Sequence, residues 1–164
     1  MPKLDPLIEA VLDRDEVQLR RLLKKRPPDS AKDTDGRTAL INAAAMGSHS
    51  MLDALLRSGA DANLQDHQGL ASLHFAAMKH DVATARTLIT FGARIDIRDS
   101  WGNSPLFRAV YQRSERRNEF IALLLRYGAD PDAVNNYGSS PRVLSELAVD
   151  GEVDWRKLGD GDAC

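Results

Sequence analysis

The residues of this chain with the widest chemical repertoire are its histidines, His49, His67, His74 and His80, which titrate near neutral pH and can ligate a metal through either ring nitrogen. Metal or general acid-base chemistry would require a second histidine or a carboxylate at a recognised spacing, such as i+3 or i+4 on one helix face. None of the four stands in such a motif. Asp61 and Asp66 also lack a neighbour arrangement suited to proton transfer, and the many acids read as turn formers and helix caps. The single cysteine, Cys164, is the last residue, so it offers no internal disulfide, Cys-based metal cage or Cys-His nucleophile. It reads as a free thiol on a frayed tail. No Gly-rich loop precedes a basic residue and no Ser-centred elbow occurs. The expectation is a protein with no catalytic, cofactor-binding or metal-binding residues, which leaves recognition as its chemistry.

Charge narrows what is recognised. With 22 basic and 24 acidic residues the formal net charge is −2, which gives no general attraction to nucleic acid or to an anionic membrane. No apolar run approaches the ~20 residues a membrane span requires. The N-terminus, MPKLDPLIEAVLDRDE, carries acids where a secretory signal would be uncharged, so a cytoplasmic location is expected. A chain of 164 residues suffices for one domain that needs no metal or disulfide to fold.

The elements that must position any binding residues are set by a repeat. Gly36, Gly69 and Gly102 are 33 residues apart, as are Gly59 and Gly92; Gly138 and Gly128 follow after a step of 36. Leu22, Leu55, Leu88 and Leu124 keep the same register. A period of this length marks a solenoid, in which no unit buries its apolar face alone and stacking makes the core.

The pattern resembles the ankyrin-repeat family, whose unit reads roughly D-x-x-G-x-T-P-L-H-x-A-A, then a second helix ending in L-L and G-A-D. Matching residues are Asp33, Gly36, Thr38, Leu40, Ala43 and Gly59-Ala60-Asp61 in one unit, then Asp66, Gly69, Leu73, His74, Ala76, Ala77 and Gly92-Ala93 in the next. The following unit matches at Asp99, Gly102, Ser104, Pro105, Leu106, Ala109 and Gly128-Ala129-Asp130. The resemblance implies an all-α ankyrin-repeat solenoid of stacked helix-turn-helix units with short hairpin fingers. Its units are expected at about residues 4–32, 33–65, 66–98 and 99–134, with a capping unit at 135–158 and a mobile tail at 159–164, all one domain (1–158). It also implies that the His74 imidazole bonds to finger backbone.

Within that frame, Asp5-Pro6 reads as a helix N-cap with proline at the first helical position. Arg14, Arg20, Arg21, Lys24, Lys25 and Arg26 read as a solvated capping face. The three extra residues fall in the connection 112–118, QRSERRN, whose Arg113, Arg116 and Arg117 make a lengthened basic turn. In the last unit Arg142 and Val143 replace the Leu-His pair, and Leu144, Leu147 and Val153 are expected to cover the exposed end beneath Trp155.

In the family the partner usually lies in the concave groove formed by finger tips and first-helix ends. Carried onto this sequence, the protein-binding candidates are Asp35, Arg37, Met46, His67, Leu70, Met78, Lys79, Trp101, Asn103, Tyr111, Gln112 and Tyr137. Trp, Tyr, Met and Arg at positions that folding does not require to be apolar are what an interface centre favours. The function expected is stoichiometric protein binding by a monomer through its concave face, with the whole chain as effector. An inhibitor, antitoxin or immunity protein that occludes its target fits this best; a scaffold or adaptor bridging two proteins is the alternative.

Overall fold

The computed structural model describes residues 4–147 and 153–158. They form ten helices: α1 (Pro6–Leu12), α2 (Glu16–Leu23), α3 (Ala39–Met46), α4 (His49–Arg57), α5 (Ser72–Lys79), α6 (Val82–Thr90), α7 (Pro105–Tyr111), α8 (Arg117–Arg126), α9 (Pro141–Glu146) and α10 (Trp155–Leu158). Among the described residues there is no strand. The odd-numbered helices stack in one layer, α1 on α3 on α5 on α7 on α9, and the even-numbered ones in a second, α2 through α10. The expected all-α solenoid is what the chain builds.

Six of the helices, α1, α2, α3, α6, α7 and α9, begin where a short side chain takes an otherwise unpaired N–H. Asp5 accepts from Leu7 N at 2.9 Å ahead of Pro6, and Thr38, Ser104 and Ser140 cap α3, α7 and α9 in the same way. Ala71, at the equivalent place before α5, has no such group. There the His74 ring accepts the Ala71 N–H at Nδ1 (3.1 Å), and its Nε2–H donates to the Asn103 carbonyl at 3.1 Å, one repeat onward. The backbone bond implied for His74 is therefore present twice over.

The period reappears as columns of buried side chains. Leu7, Leu40, Leu73 and Leu106 are at most 1% exposed, and so are Leu55, Leu88 and Leu124 in the other layer. Ala10, Ala43, Ala76, Ala109 and Ser145 form the small-residue column that lets the first helices approach. At the next leucine position Arg142 ends the column: it ion-pairs with Asp132 and lies over the Trp155 ring, whose Nε1–H donates to Ser145. Val153 and Trp155 are buried in this cap and Leu144 packs against the core. Leu147, expected to join them, is 73% exposed, because α9 ends at Glu146 and Leu147 lies past its last turn.

Three further ladders tie neighbouring units. In the fingers, His67 N donates to Asp35 O, Ser100 N to Gln68 O and Asn136 N to Trp101 O, at 2.9–3.0 Å. Lys32, Gln65 and Arg98 each reach the backbone carbonyl one unit on, at Gln65, Arg98 and Val134. On the opposite edge Asp29, Asn63 and Asp96 accept the N–H of Asp61, Arg94 and Asp130.

This last ladder contains its own control. Asn63 accepts from Arg94 N at 2.8 Å and also donates to Gly92 O at 3.0 Å. The carboxylates at 29 and 96 can only accept; burial, with Asp61 and Asp130 facing them, raises their pKa above the ordinary 3.8. Asp96→Asn is expected to stabilise the fold by about 0.5–1.5 kcal/mol at neutral pH by gaining a hydrogen bond and losing a repelling charge. The urea midpoint checks this; an unchanged or lower midpoint contradicts it.

Candidate functional site

The finger loops hold the candidate residues. One carboxylate or amide oxygen organises each: Asp33 Oδ1 accepts Asp35 N and Arg37 N, Asp66 Oδ1 accepts Gln68 N and Leu70 N, and Asp99 Oδ1 accepts Trp101 N and Asn103 N. Asn135 Oδ1 does the same for Tyr137 N and Ser139 N. Within each loop the first of these residues points outward, while the second, two positions on, is held against the organising side chain.

That alternation corrects two expectations. Leu70 and Asn103, read as groove surface, are buried at 5% and 7% exposure. Leu70 belongs to the core, and Asn103 is consumed structurally, its Oδ1 taking Asn135 Nδ2 at 2.8 Å and its Nδ2 reaching Asp99. Arg37, at the same place in its own loop, is half-buried; it pairs with Asp35 and Asp66 and lies 5.2 Å over the Phe75 ring.

Around the fourth and fifth fingers the structure brings candidates together. Trp101, Asn103, Phe107, Arg108, Tyr111, Asn135 and Tyr137 line one hollow of about 330 Å3. Tyr111 and Tyr137 are 67% and 76% exposed, and Trp101 is 36% exposed. Asp99 fixes the floor: its side chain is fully buried, and Oδ2 accepts Arg108 Nε at 2.9 Å. Arg108 thereby lies 5.3 Å over the Trp101 ring. Phe107, Arg108 and Asn135 complete this hollow and stand outside the candidate positions carried over from the family.

The other candidates lie apart from it. Asp35, Arg37 and His67 border a smaller hollow of about 170 Å3 between the second and third fingers. Met46 and Met78, near the ends of α3 and α5, are half-buried against the core, while Lys79 is exposed. Gln112 ends α7 in extended backbone and is half-buried.

The basic connection is shorter than expected, since α8 begins at Arg117 and takes in Asn118. Its anchor is His80. Arg14, Gly47 and His80 share one register and all have left-handed backbone, with φ of 57°, 67° and 50°. His80 accepts the strain of that conformation and is 1% exposed. Its Nε2–H donates to Ala109 O at 2.8 Å, which leaves Nδ1 to accept the Ser114 hydroxyl, also at 2.8 Å. The ring meets Phe120 edge-on at 5.8 Å. His80 thus pins both sides of Tyr111. His80→Ala is expected to be less stable than His80→Gly by about 1 kcal/mol, since only glycine relaxes at φ 50°. Both should speed amide exchange at residues 112–116; equal stabilities would contradict the strain argument.

Burial lowers the pKa of both His74 and His80 below the ordinary 6.5, so the native state holds them neutral. An unfolded chain binds these protons first, so stability is full above pH 6.5 and falls as pH drops below it, until the folded-state values are passed. Urea midpoints between pH 7.5 and about 5 should decline for the native chain and decline less for a His80→Gly variant; a flat profile would contradict the assignment.

Among the described residues no group of three or more His, Cys, Asp or Glu is placed to hold a metal, and no helix is long and apolar enough to cross a membrane. Comparison with known proteins then decides the lineage. A family model described as ankyrin repeats (3 copies) matches residues 2–66 and 42–135. The chain belongs to the ankyrin-repeat family. This ankyrin-repeat chain is 34% identical over 119 residues to the Drosophila melanogaster E3 ubiquitin-protein ligase Ufd4, which covers 72% of the chain and 4% of the ligase. It is 36% identical over 105 residues to Homo sapiens neurogenic locus notch homolog protein 1 and 37% over 103 residues to the Mus musculus protein, covering 63% and 62% of the chain. The chain spans about 4% of the length of each of these relatives. Ankyrin repeats are a protein-protein interaction architecture, and this chain is such a module.

Proposed function

We propose that this ankyrin-repeat module binds one protein partner through its concave face, with the hollow between Trp101, Tyr111 and Tyr137 at the centre of the contact. The observation that carries this reading is the exposure of Tyr111 and Tyr137 around a hollow whose floor is already rigid. Neither ring is needed to bury the core, and large rigid aromatics remove apolar area at small entropic cost. The smaller hollow at Asp35, Arg37 and His67 extends the contact along the finger tips.

Stoichiometric occlusion is the mode of action that suits a rigid array with no reaction of its own: an inhibitor, antitoxin or immunity protein, working as a monomer in the cytoplasm. The adaptor alternative gains a specific surface in a second groove of about 430 Å3 between α2 and α4, with Leu23 and Ala54 at its floor and Arg20, Lys24 and Arg57 at its rim. Pull-down from the native lysate, identification of the co-purifying protein and assay of its activity with and without the module test the reading. Loss of that activity at equimolar module supports occlusion. Full activity in the complex contradicts it, and a ternary complex with a second protein lost on Arg57→Glu supports bridging.

A further inference from the structure

Resting on the assignment of the aromatic hollow as the binding site, the chemistry of its walls names an occupant. Every strong acceptor at the hollow is already used: Asp99 holds Arg108 and two backbone N–H groups, Asn103 Oδ1 takes Asn135, and Asn135 Oδ1 takes Tyr137 N and Ser139 N. The donors are not. Trp101 Nε1–H and the hydroxyls of Tyr111 and Tyr137, on rings 36%, 67% and 76% exposed, make no hydrogen bond to another described residue. The hollow is therefore lined by three aromatic side chains that carry one N–H and two O–H donors.

Charge excludes two kinds of guest. A methylated or free lysine would meet the Arg108 guanidinium already lying over Trp101, with the nearest carboxylate, Asp99, buried and paired. A strongly acidic segment gains little, because Asp99 neutralises that same guanidinium. A segment that offers carbonyl acceptors, few N–H donors and compact apolar rings complements what remains. Proline supplies all three: it has no backbone N–H, and in the polyproline II form its carbonyls make no internal bonds. It is also pre-ordered, so docking costs little conformational entropy.

We propose that the hollow takes an extended, proline-rich segment of the partner protein, with proline rings between the faces of Trp101, Tyr111 and Tyr137 and carbonyls accepting from their indole and phenol donors.

The test uses the full chain and a deca-proline peptide as probe, followed by the indole N–H resonances of Trp101 and Trp155. The expected result is a saturable shift of the Trp101 indole, none at Trp155, and about tenfold weaker binding for Tyr137→Ala and for Tyr111→Ala, both exposed enough to leave the fold intact. A glycine-serine peptide of equal length should give no shift. No movement of the Trp101 indole at millimolar probe overturns the proposal, as does an equal shift with a trimethyl-lysine peptide. Selection from a random displayed-peptide library separates this failure from failure of the site itself. Proline-enriched peptides lost on Tyr137→Ala support the proposal. Peptides without proline but lost on Tyr137→Ala overturn it and keep the hollow, whereas peptides that survive Tyr137→Ala with Trp101→Ala remove the hollow as well.

Discussion

Replacing Trp101 and Tyr137 together by alanine is expected to weaken binding to the captured protein partner about a hundredfold or more, with a change of only a few degrees in thermal midpoint. Truncating a central aromatic anchor typically costs ~2 kcal/mol or more of binding, and two such anchors share this hollow. Folding loses much less. Tyr137 is 76% exposed and its backbone is held by Asn135, not by its ring. Trp101 forfeits its stack under Arg108, about 0.5–1 kcal/mol at a partly exposed site. Isothermal titration against the purified partner, with circular dichroism melts of the same variants, separates the two effects. Unchanged affinity would place the contact elsewhere, and collapse of the melt would show that the rings serve the fold.

The second large effect is on stability and comes from glycine. Gly69 has φ +75°, and a Cβ there would stand 2.6 Å from the Ser100 backbone nitrogen of the next finger. A left-handed non-glycine residue costs ~1–2 kcal/mol, and a collision with backbone, which cannot swing aside, adds to it. Gly69→Ala is expected to lower stability by about 2–4 kcal/mol. Gly59→Ala is the matched control: its φ is +90° but nothing lies within 4 Å of the added atom, so only the conformational penalty of ~1–2 kcal/mol applies. Urea unfolding of the two variants measures the difference. Equal losses would mean that finger-to-finger contact contributes nothing.

These two predictions draw on different parts of the sequence, and the parts were not equally legible. The columns of leucine and alanine, the finger glycines and the capping residues repeat in type as well as position, so the stack can be read before any coordinate is seen. The side-chain ladders that stitch neighbouring units repeat in place along the unit, to within one residue, but not in residue type. Lys32, Gln65 and Arg98 share one task with three chemistries, and Asp29, Asn63 and Asp96 share another. A reading by residue type passes over them. The register of glycines at 33 also extends to Arg14, Gly47 and His80, where two non-glycine residues take left-handed backbone. His80, one of the two, clamps the irregular repeat through Ala109 and Ser114.

At the site, the outward finger residues Trp101 and Tyr137 and the helix-terminal Tyr111 follow directly from the register. Leu70 and Asn103 were misread because finger-tip position was taken to mean exposure. In each loop the organising Asp or Asn binds two N–H groups two residues apart, and the second belongs to a residue drawn inward. The placement of Arg108 needed the structure: the buried Asp99 turns it over Trp101.

The measurement that bears most directly on the central claim is site-specific photocrosslinking of the partner complex, with the photoreactive residue placed at Tyr137 in one variant and at Phe91, 40% exposed past the end of α6 in the second helix layer, in another. Concave binding predicts a stoichiometric crosslink from position 137 and none from position 91. Crosslinking from 91 with silence at 137 would put the partner on the other face and contradict the account.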